Sequence, residues 1–250
     1  MKKVLITGSN GFMGKNLSVE LSRRGDVGVK GYDTDSNPDV LSSLVCEADF
    51  VFHLAGINRP QDDNGFMHGN LGLTKQIISI LDESNKATPF LFTSSTQAEL
   101  GNSYGISKKM SEDVVFNYGL KANVPVYVYR LTNAFGKWSL PNYNSVVSTF
   151  CHNIGHGLPI SISDPEKQLD LIYIDDIVAS FTNALDGSIA DSHKILSVNP
   201  TYTITIAELA YKIAKLKDGK HTLVDSPDLT DEFTRKLHTT FLSYLPVDGF

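Results

Sequence analysis

Val4-Leu5-Ile6 runs directly into Thr7-Gly8-Ser9-Asn10-Gly11-Phe12-Met13-Gly14, after which Leu17 and Leu21 recur at helical spacing. A short apolar strand, a glycine-rich turn and a helix, in that order, leave few folds open. The glycines permit a tight turn, close approach of backbone to a ligand, and close packing of helix on strand. The helix start presents unpaired N–H groups and the positive end of the macrodipole. Such a loop suits a pyrophosphate, and Gly8, Asn10, Gly11, Phe12, Met13 and Gly14 are therefore candidate dinucleotide contacts.

The next 200 residues decide whether that turn stands alone. Strand-like runs at 27–32, 50–54, 89–94 and 124–129 alternate with helical stretches at 71–81 and 104–118. This rhythm predicts an α/β fold, a doubly wound parallel Rossmann sheet with ligands at the carboxyl ends of its strands. After Gly136 the rhythm breaks. Residues 137–167 are rich in Asn, Ser, Pro and Gly and hold the sole tryptophan, Trp138. Leu169, Leu171 and Tyr173 then alternate as in a strand, a helix is expected over 175–185, a late strand over 195–198 and another helix over 206–216. The expected organisation is a dinucleotide-binding domain of residues 1–136 with 168–199, and a small C-terminal substrate-binding lobe of 137–167 with 200–250.

Composition narrows the function classes. A net charge of -6 and an isoelectric point near 5.6 give no basic patch for nucleic acid; the pair Arg23-Arg24 reads as a solvated helix end. Two distant cysteines, Cys46 and Cys151, make no disulfide framework and fit a reducing compartment. His152 and His156 stand at i and i+4, but no third ligand accompanies them, so no metal is expected. The N-terminal apolar run is too short for a signal peptide or a membrane span, and a cytoplasmic location is expected.

Chemistry concentrates in three further places. Asp33 closes the second strand, where a carboxylate accepts hydrogen bonds from both ribose hydroxyls and repels a 2′-phosphate, favouring NAD over NADP. Leu54-Ala55-Gly56 ends the next strand with small residues that let backbone approach a cofactor. Tyr104 and Lys108 fall on one helix face behind Asn102 and Ser103, both good N-cap residues. A phenol with a pKa near 10 is a poor base, and a neighbouring ammonium favours its ionisation. Tyr104 would then exchange a proton with a sugar oxygen while hydride moves to or from a nicotinamide, Lys108 would serve both phenol and cofactor, and Ser95 would orient the oxygen, with Ser94 as the substitute if the strand register differs.

These motifs together resemble the extended short-chain dehydrogenase/reductase family, the nucleotide-sugar epimerases and dehydratases. The resemblance spans nearly the whole chain: TGSNGFMG (7–14), DFVFHLAG (49–56), Asn70, the serines at 94–95, YGISK (104–108), RLTNAFG (130–136) and DLIYIDD (170–176). It implies a cofactor contact for Asn70. It also implies that Arg130 and Asn133 shape the substrate-side strand end and that Tyr173, Asp175 and Asp176 mark the return to the Rossmann sheet; structural pairing is an equal reading for Arg130 and Asp176. AGINRP (55–60), FGKW (135–138), PNYNSV (141–146) and LSYLP (242–246) look more narrowly like the reductase part of the CapF/WbjC family of capsular-polysaccharide enzymes. That resemblance implies NADPH-linked reduction at C4 of a UDP-linked 4-keto-6-deoxy-N-acetylhexosamine, giving a UDP-N-acetyl-6-deoxy-talosamine. It implies substrate contacts at Arg59, Asn133, Lys137, Asn142, Asn144 and Ser145.

Two departures qualify the match. The narrower family continues past LSYLP into a metal-binding cupin domain, whereas this sequence ends at Phe250, as a truncated form or a stand-alone reductase would. Only 15 residues separate Asp33 from Asp49, too few for the usual extra strand and helix. The alternative activity is an NAD-dependent nucleotide-sugar 4-epimerase. A 4,6-dehydratase is disfavoured because Thr96-Gln97 follows Ser95, and a non-catalytic dinucleotide sensor has no need of the Tyr104–Lys108 pair. A homodimer is expected, formed by the helices carrying Leu71, Ile77, Ile78 and Leu81 and carrying Val114, Val115 and Tyr118; the competing reading has these residues facing the sheet.

Overall fold

Val4, Leu5 and Ile6 are all buried, as residues of a strand covered on both faces must be, and they form the middle of β1 (Lys2–Thr7). The computed structural model describes residues 1–60, 62, 64–218 and 228–246. In chain order β1 is followed by α1 (Phe12–Ser22), β2 (Val27–Tyr32), α2 (Val40–Glu47), β3 (Phe50–His53), α3 (Asn64–Phe66), a π-helical stretch (Met67–Gly72), α4 (Leu73–Ser84) and β4 (Phe90–Ser95). A 3₁₀ turn (Thr96–Glu99), α5 (Ser103–Ala122), β5 (Val126–Leu131), β6 (Asn133–Phe135), α6 (Val146–Gly155) and β7 (Gln168–Tyr173) come next. The remaining elements are α7 (Ile174–Leu185), β8 (Ile195–Leu196), β9 (Tyr202–Thr205), α8 (Ile206–Asp218) and α9 (Glu232–Leu242).

The chain forms two compact units: Met1–Leu131 with Val178–Val198, and Thr132–Ile177 with the described residues from Asn199 onward. The first contains a six-stranded parallel sheet in the order β2-β1-β3-β4-β5-β8. The short connection after Asp33 accommodates α2 but no strand, which leaves β2 as the sheet edge. Because Thr7 lies beside Tyr32 and His53, and Ser95 beside Leu131, the carboxyl ends of the strands gather the loop at Gly8, Leu54 and the serines at one edge.

One face of this sheet packs Leu5, Val51, Phe90, Phe92 and Val128 against Ile77, Ile78 and Leu81 of α4 and Val115 and Tyr118 of α5. The Tyr118 hydroxyl donates to the Thr88 carbonyl at 2.8 Å. These are the helix residues expected at a dimer interface, and with Leu71 they are instead buried in the core, while Val114 packs partly against it. Apolar spacing marks a buried helix face, and here the sheet buries it. Burying a side chain of this size is worth about 1.5–3 kcal/mol, so the helices are held by this face.

The second unit has a three-stranded sheet in the order β6-β7-β9, with β7 parallel to β6 and antiparallel to β9. The sequence predicts 168–199 in the Rossmann domain, but Leu171–Tyr173 pairs with Asn133–Phe135 in the second sheet. Alternation reveals a strand and not the sheet it joins, so the division falls after Leu131 and before Val178 rather than at 136 and 168. Phe135, Tyr202 and Phe233 form the aromatic centre, with Tyr202 stacked 4.8 Å from Phe233. Residues 219–227 and 247–250 of the expected lobe lie outside the described residues.

Candidate active site

The turn after β1 leaves no room for a side chain at Gly8 or Gly14. Gly8 has φ +72, and a Cβ there would lie 2.7 Å from the Ala55 nitrogen. A Cβ on Gly14 would lie 2.1 Å from the Gly8 carbonyl oxygen. Gly11 is the N-cap of α1, and no described side chain caps that helix end, so its leading N–H groups face the loop as an anion cradle. Phe12 and Met13 occupy the first helical positions. The residues present therefore fit a dinucleotide pyrophosphate, by the space they leave and by the donors they present.

Asp33 takes part in shaping this loop. Its carboxylate accepts from the Asn10 backbone N–H and from the Thr34 N–H, both at 2.8 Å. The Asn10 side chain donates to Asp35 at 3.2 Å, so two carboxylates flank the turn. Beside them the small residues after β3 come close to the catalytic candidates: a Cβ on Gly56 would meet the Lys108 Nζ at 3.1 Å and the Asn70 Oδ1 at 3.2 Å. Asn70 is buried in the π-helical stretch, accepts from the Ile57 N–H at 2.8 Å and donates to the Ser107 hydroxyl at 3.1 Å. Its bonds tie the Leu54-Ala55-Gly56 exit to α5.

Asn102 caps α5 by accepting from the Gly105 N–H at 2.7 Å, and this sets the rotation of Tyr104 and Lys108. The Tyr104 phenol lies near the Ser95 hydroxyl; burial raises its pKa and Ser95 pulls the other way. The downward pull expected from Lys108 has no part in this balance. The ammonium instead donates to the Thr93 carbonyl at 3.0 Å and sits 6.0 Å from the Tyr104 ring centre. Lys108 is itself buried, and desolvation, partly offset by Glu112, pushes its pKa down to about 8. Below it, the ring of His53 bonds the hydroxyls of Thr7 at 2.7 Å and Thr74 at 2.9 Å. Desolvation, with the Lys108 charge, pushes His53 down to about 3 and keeps that ring neutral.

Strand alternation separates the two serines. Ser95 turns to Tyr104, and the Ser94 hydroxyl donates to Glu112 at 2.6 Å. Glu112 is fully buried and takes a two-pronged pair from Arg130, at 2.8 and 2.7 Å; Arg130 also reaches Glu99 at 2.7 Å. Burial alone would raise the Glu112 pKa, but the bonds from Arg130 and Ser94 outweigh it and hold the carboxyl below its ordinary value. Arg130 is thus an ion-pair partner in the frame of the site. Asp176 plays the same part in the second unit, paired with Lys236 at 2.7 Å. Sequence reasoning missed Glu112, although its place four residues beyond Lys108 put it on the same helix face.

The six substrate candidates fall in both units. Arg59 is exposed in the loop after β3, and Asn144 is exposed before α6. Asn133 donates to the Asp170 carbonyl at 3.2 Å, Asn142 to Asn153 at 3.3 Å, and Ser145 caps α6 by accepting from the Ser148 N–H at 3.3 Å. Asn133 and Ser145 are thus engaged in holding backbone, and Asn142 in a bond to another side chain. Lys137 lies over the Trp138 ring at 5.2 Å. His152 and His156 stack, ring centres 4.2 Å apart, and the described residues contain no cluster of three metal-ligating side chains. No helix among the described residues is long and apolar enough to cross a membrane.

Comparison with known proteins places this geometry among relatives. The chain is 42% identical over 248 residues to the UDP-2-acetamido-2,6-beta-L-arabino-hexul-4-ose reductase of Pseudomonas aeruginosa, covering 99% of this chain and 66% of that protein. The crystal structure of the capsular polysaccharide assembling protein CapF from Staphylococcus aureus superposes with a TM-score of 0.89 at 36% identity, over 99% of this chain and 67% of that one. The chain therefore spans about two thirds of the length of these relatives. A UDP-glucuronic acid 4-epimerase from Bacillus cereus in complex with NAD shares the fold, with a TM-score of 0.80 at 18% identity over 97% of this chain and 98% of that one. The sequence profile of the NAD dependent epimerase/dehydratase family matches residues 4–198, and the chain belongs to that family.

Proposed function

We propose that this protein is an NAD(P)H-dependent reductase acting at C4 of a UDP-linked 4-keto-6-deoxy-N-acetylhexosamine, in the synthesis of capsule or O-antigen sugars. The observation that carries the reading is the gathering of Ser95 at the end of β4, Tyr104 on α5 and the buried Lys108, in a chain 42% identical to a reductase of that kind. Reduction of the ketone takes a hydride, which a bound reduced nicotinamide supplies, and a proton. Burial keeps the Tyr104 phenol protonated at neutral pH, so it enters the reaction as the acid and gives its proton to the C4 oxygen. Ser95 holds that oxygen by a hydrogen bond. Lys108, at the Gly56–Asn70 exit of β3, is the ammonium that would meet the cofactor ribose.

Asp33 and Asp35 place negative charge beside the loop, which supports NAD over NADP. The same carboxylates favour the second reading, a 4-epimerase that retains NAD. Heat release separates the two: a stoichiometric NAD spectrum from the purified protein supports the epimerase, and protein free of nucleotide supports the reductase. Of the substrate candidates, Arg59, Asn133, Asn142 and Asn144 are exposed, Asn133 and Asn142 being already hydrogen-bonded within the protein, and Lys137 belongs to the surface around Trp138. We place the protein in the cytoplasm, where nucleotide sugars and reduced nicotinamide are supplied, and as a homodimer through the outer side of α5, where Ile106 and Met110 are exposed. The deciding assay is oxidation of NADH or NADPH with the 4-keto substrate. The Tyr104→Phe variant should turn over about 10²–10⁴ times more slowly with cofactor affinity unchanged; turnover near that of the parent would remove Tyr104 from the mechanism.

A further inference from the structure

Within the second unit, the segment between β6 and α6 holds a large side chain in a costly conformation. Trp138 has φ +70, a region in which a bulky residue is a rare outlier. Its neighbours fix it there. Gly136 has φ +146 and packs so tightly on Ile174 that a Cβ would lie 2.2 Å from the Ile174 Cγ2. The Tyr244 hydroxyl bonds the carbonyls of Gly136, at 3.1 Å, and Ser139, one on each side of the tryptophan. Ser139 is buried with its hydroxyl 3.3 Å from that of Ser148, and Asn142, also at positive φ, is tied to Thr149 and Asn153. The segment 136–153 and two residues distant in sequence, Ile174 and Tyr244, thus converge to hold one backbone geometry.

That geometry does not serve the core. The Trp138 residue is 45% exposed, and a glycine would adopt the same φ without steric cost. The Lys137 ammonium lies 5.2 Å from the ring centre, so positive charge accompanies the aromatic face. Strain maintained by several independent contacts around a half-exposed aromatic ring is characteristic of a ligand surface.

We propose that Trp138 is a binding platform for the nucleotide-sugar substrate, its exposed face stacking against a ring of that diphosphate-linked ligand, with Lys137 beside it. The inference rests on the proposed function for the substrate class. The uracil base, by its π face, and the hexose, by its C–H face, can each lie against an indole, and the two are separable by experiment.

Trp138 is the only tryptophan of the chain, so tryptophan emission reads this position alone. The intact protein, without nicotinamide cofactor, is titrated with UDP and with UDP-N-acetylglucosamine while calorimetry measures binding of each. A saturable emission change that follows the calorimetric isotherm is expected. A response to UDP alone identifies the base, and a response confined to the UDP-sugar identifies the hexose. Trp138→Ala should weaken binding about tenfold, with Trp138→Phe recovering most of the loss and NADH affinity the same in all three. Trp138→Gly relieves the backbone, so it should keep its thermal stability and still bind weakly, an outcome that a structural tryptophan would reverse. Calorimetric binding with unaltered emission, and with the same affinity in Trp138→Gly, overturns the platform and leaves the reductase reading standing. Failure of both ligands to bind the parent protein overturns the substrate class and this proposal with it.

Discussion

Lys108 carries its charge inside the first unit at a cost that is measurable without any ligand. Burial, partly offset by Glu112, moves its pKa from 10.5 to about 8. In the unfolded chain the amine regains its ordinary value, so the difference of about 2.5 units amounts to about 3 kcal/mol against the folded state at neutral pH. The sign follows from counting protons. Between about pH 8 and pH 10.5 the unfolded chain binds a proton that the folded chain has lost, so stability rises with pH across that window. Below it the penalty is present in full, and above it the penalty vanishes.

Lys108→Met removes the penalty at every pH. It also leaves the Thr93 carbonyl without its donor, which costs about 1–3 kcal/mol but does not depend on pH. His53, held near 3, stays neutral throughout and does not intrude. The informative quantity is therefore the difference in unfolding free energy between parent and variant, from urea titrations at about pH 7 and about pH 9.5. It should move by about 2 kcal/mol in favour of the parent as pH rises. A difference that is the same at both pH values would refute the account of Lys108 as a desolvated ammonium in the folded protein.

Three further expectations follow from the same frame. Gly14→Ala sets a Cβ 2.1 Å from the Gly8 oxygen, against 3.1 Å for Gly11→Ala, so the first should abolish NADH binding and the second only weaken it; calorimetry on both variants checks the order. Arg130→Met strands the buried Glu112 carboxylate and should destabilise the protein by about 3–5 kcal/mol, read as a lower urea midpoint. Asp33→Ser removes one of the two carboxylates at the loop and should shift the NADH-to-NADPH affinity ratio toward NADPH; an unchanged ratio in paired titrations would take Asp33 out of cofactor selection.

Features that obey a local spacing rule were readable from the chain alone. The glycine loop, and Tyr104 and Lys108 one turn apart on α5, depend only on neighbours in sequence. The features that escaped depend on register between strands. Ser94 and Ser95 are chemically alike, and their roles diverge only because β4 lies in register with β5, which sets Ser94 opposite Arg130. The same pairing gives Glu112 its meaning: a glutamate on a helix face is ordinary, but one that receives Ser94 and both prongs of Arg130 fixes the end of β4 to α5. The membership of β7 in a second sheet was likewise invisible, since a strand of alternating residues serves either sheet equally well. Tyr104, Lys108 and Glu112 follow one another at i, i+4 and i+8, so a single helix face carries the proposed acid, the buried ammonium and the carboxylate that braces the adjacent strand. Rotation of α5 that moved Tyr104 away from Ser95 would have to pull Glu112 from Arg130 as well. The ion pair therefore resists the displacement that would disable the site, which is a reason for a buried charge pair to persist where an apolar pair would be at least as stable.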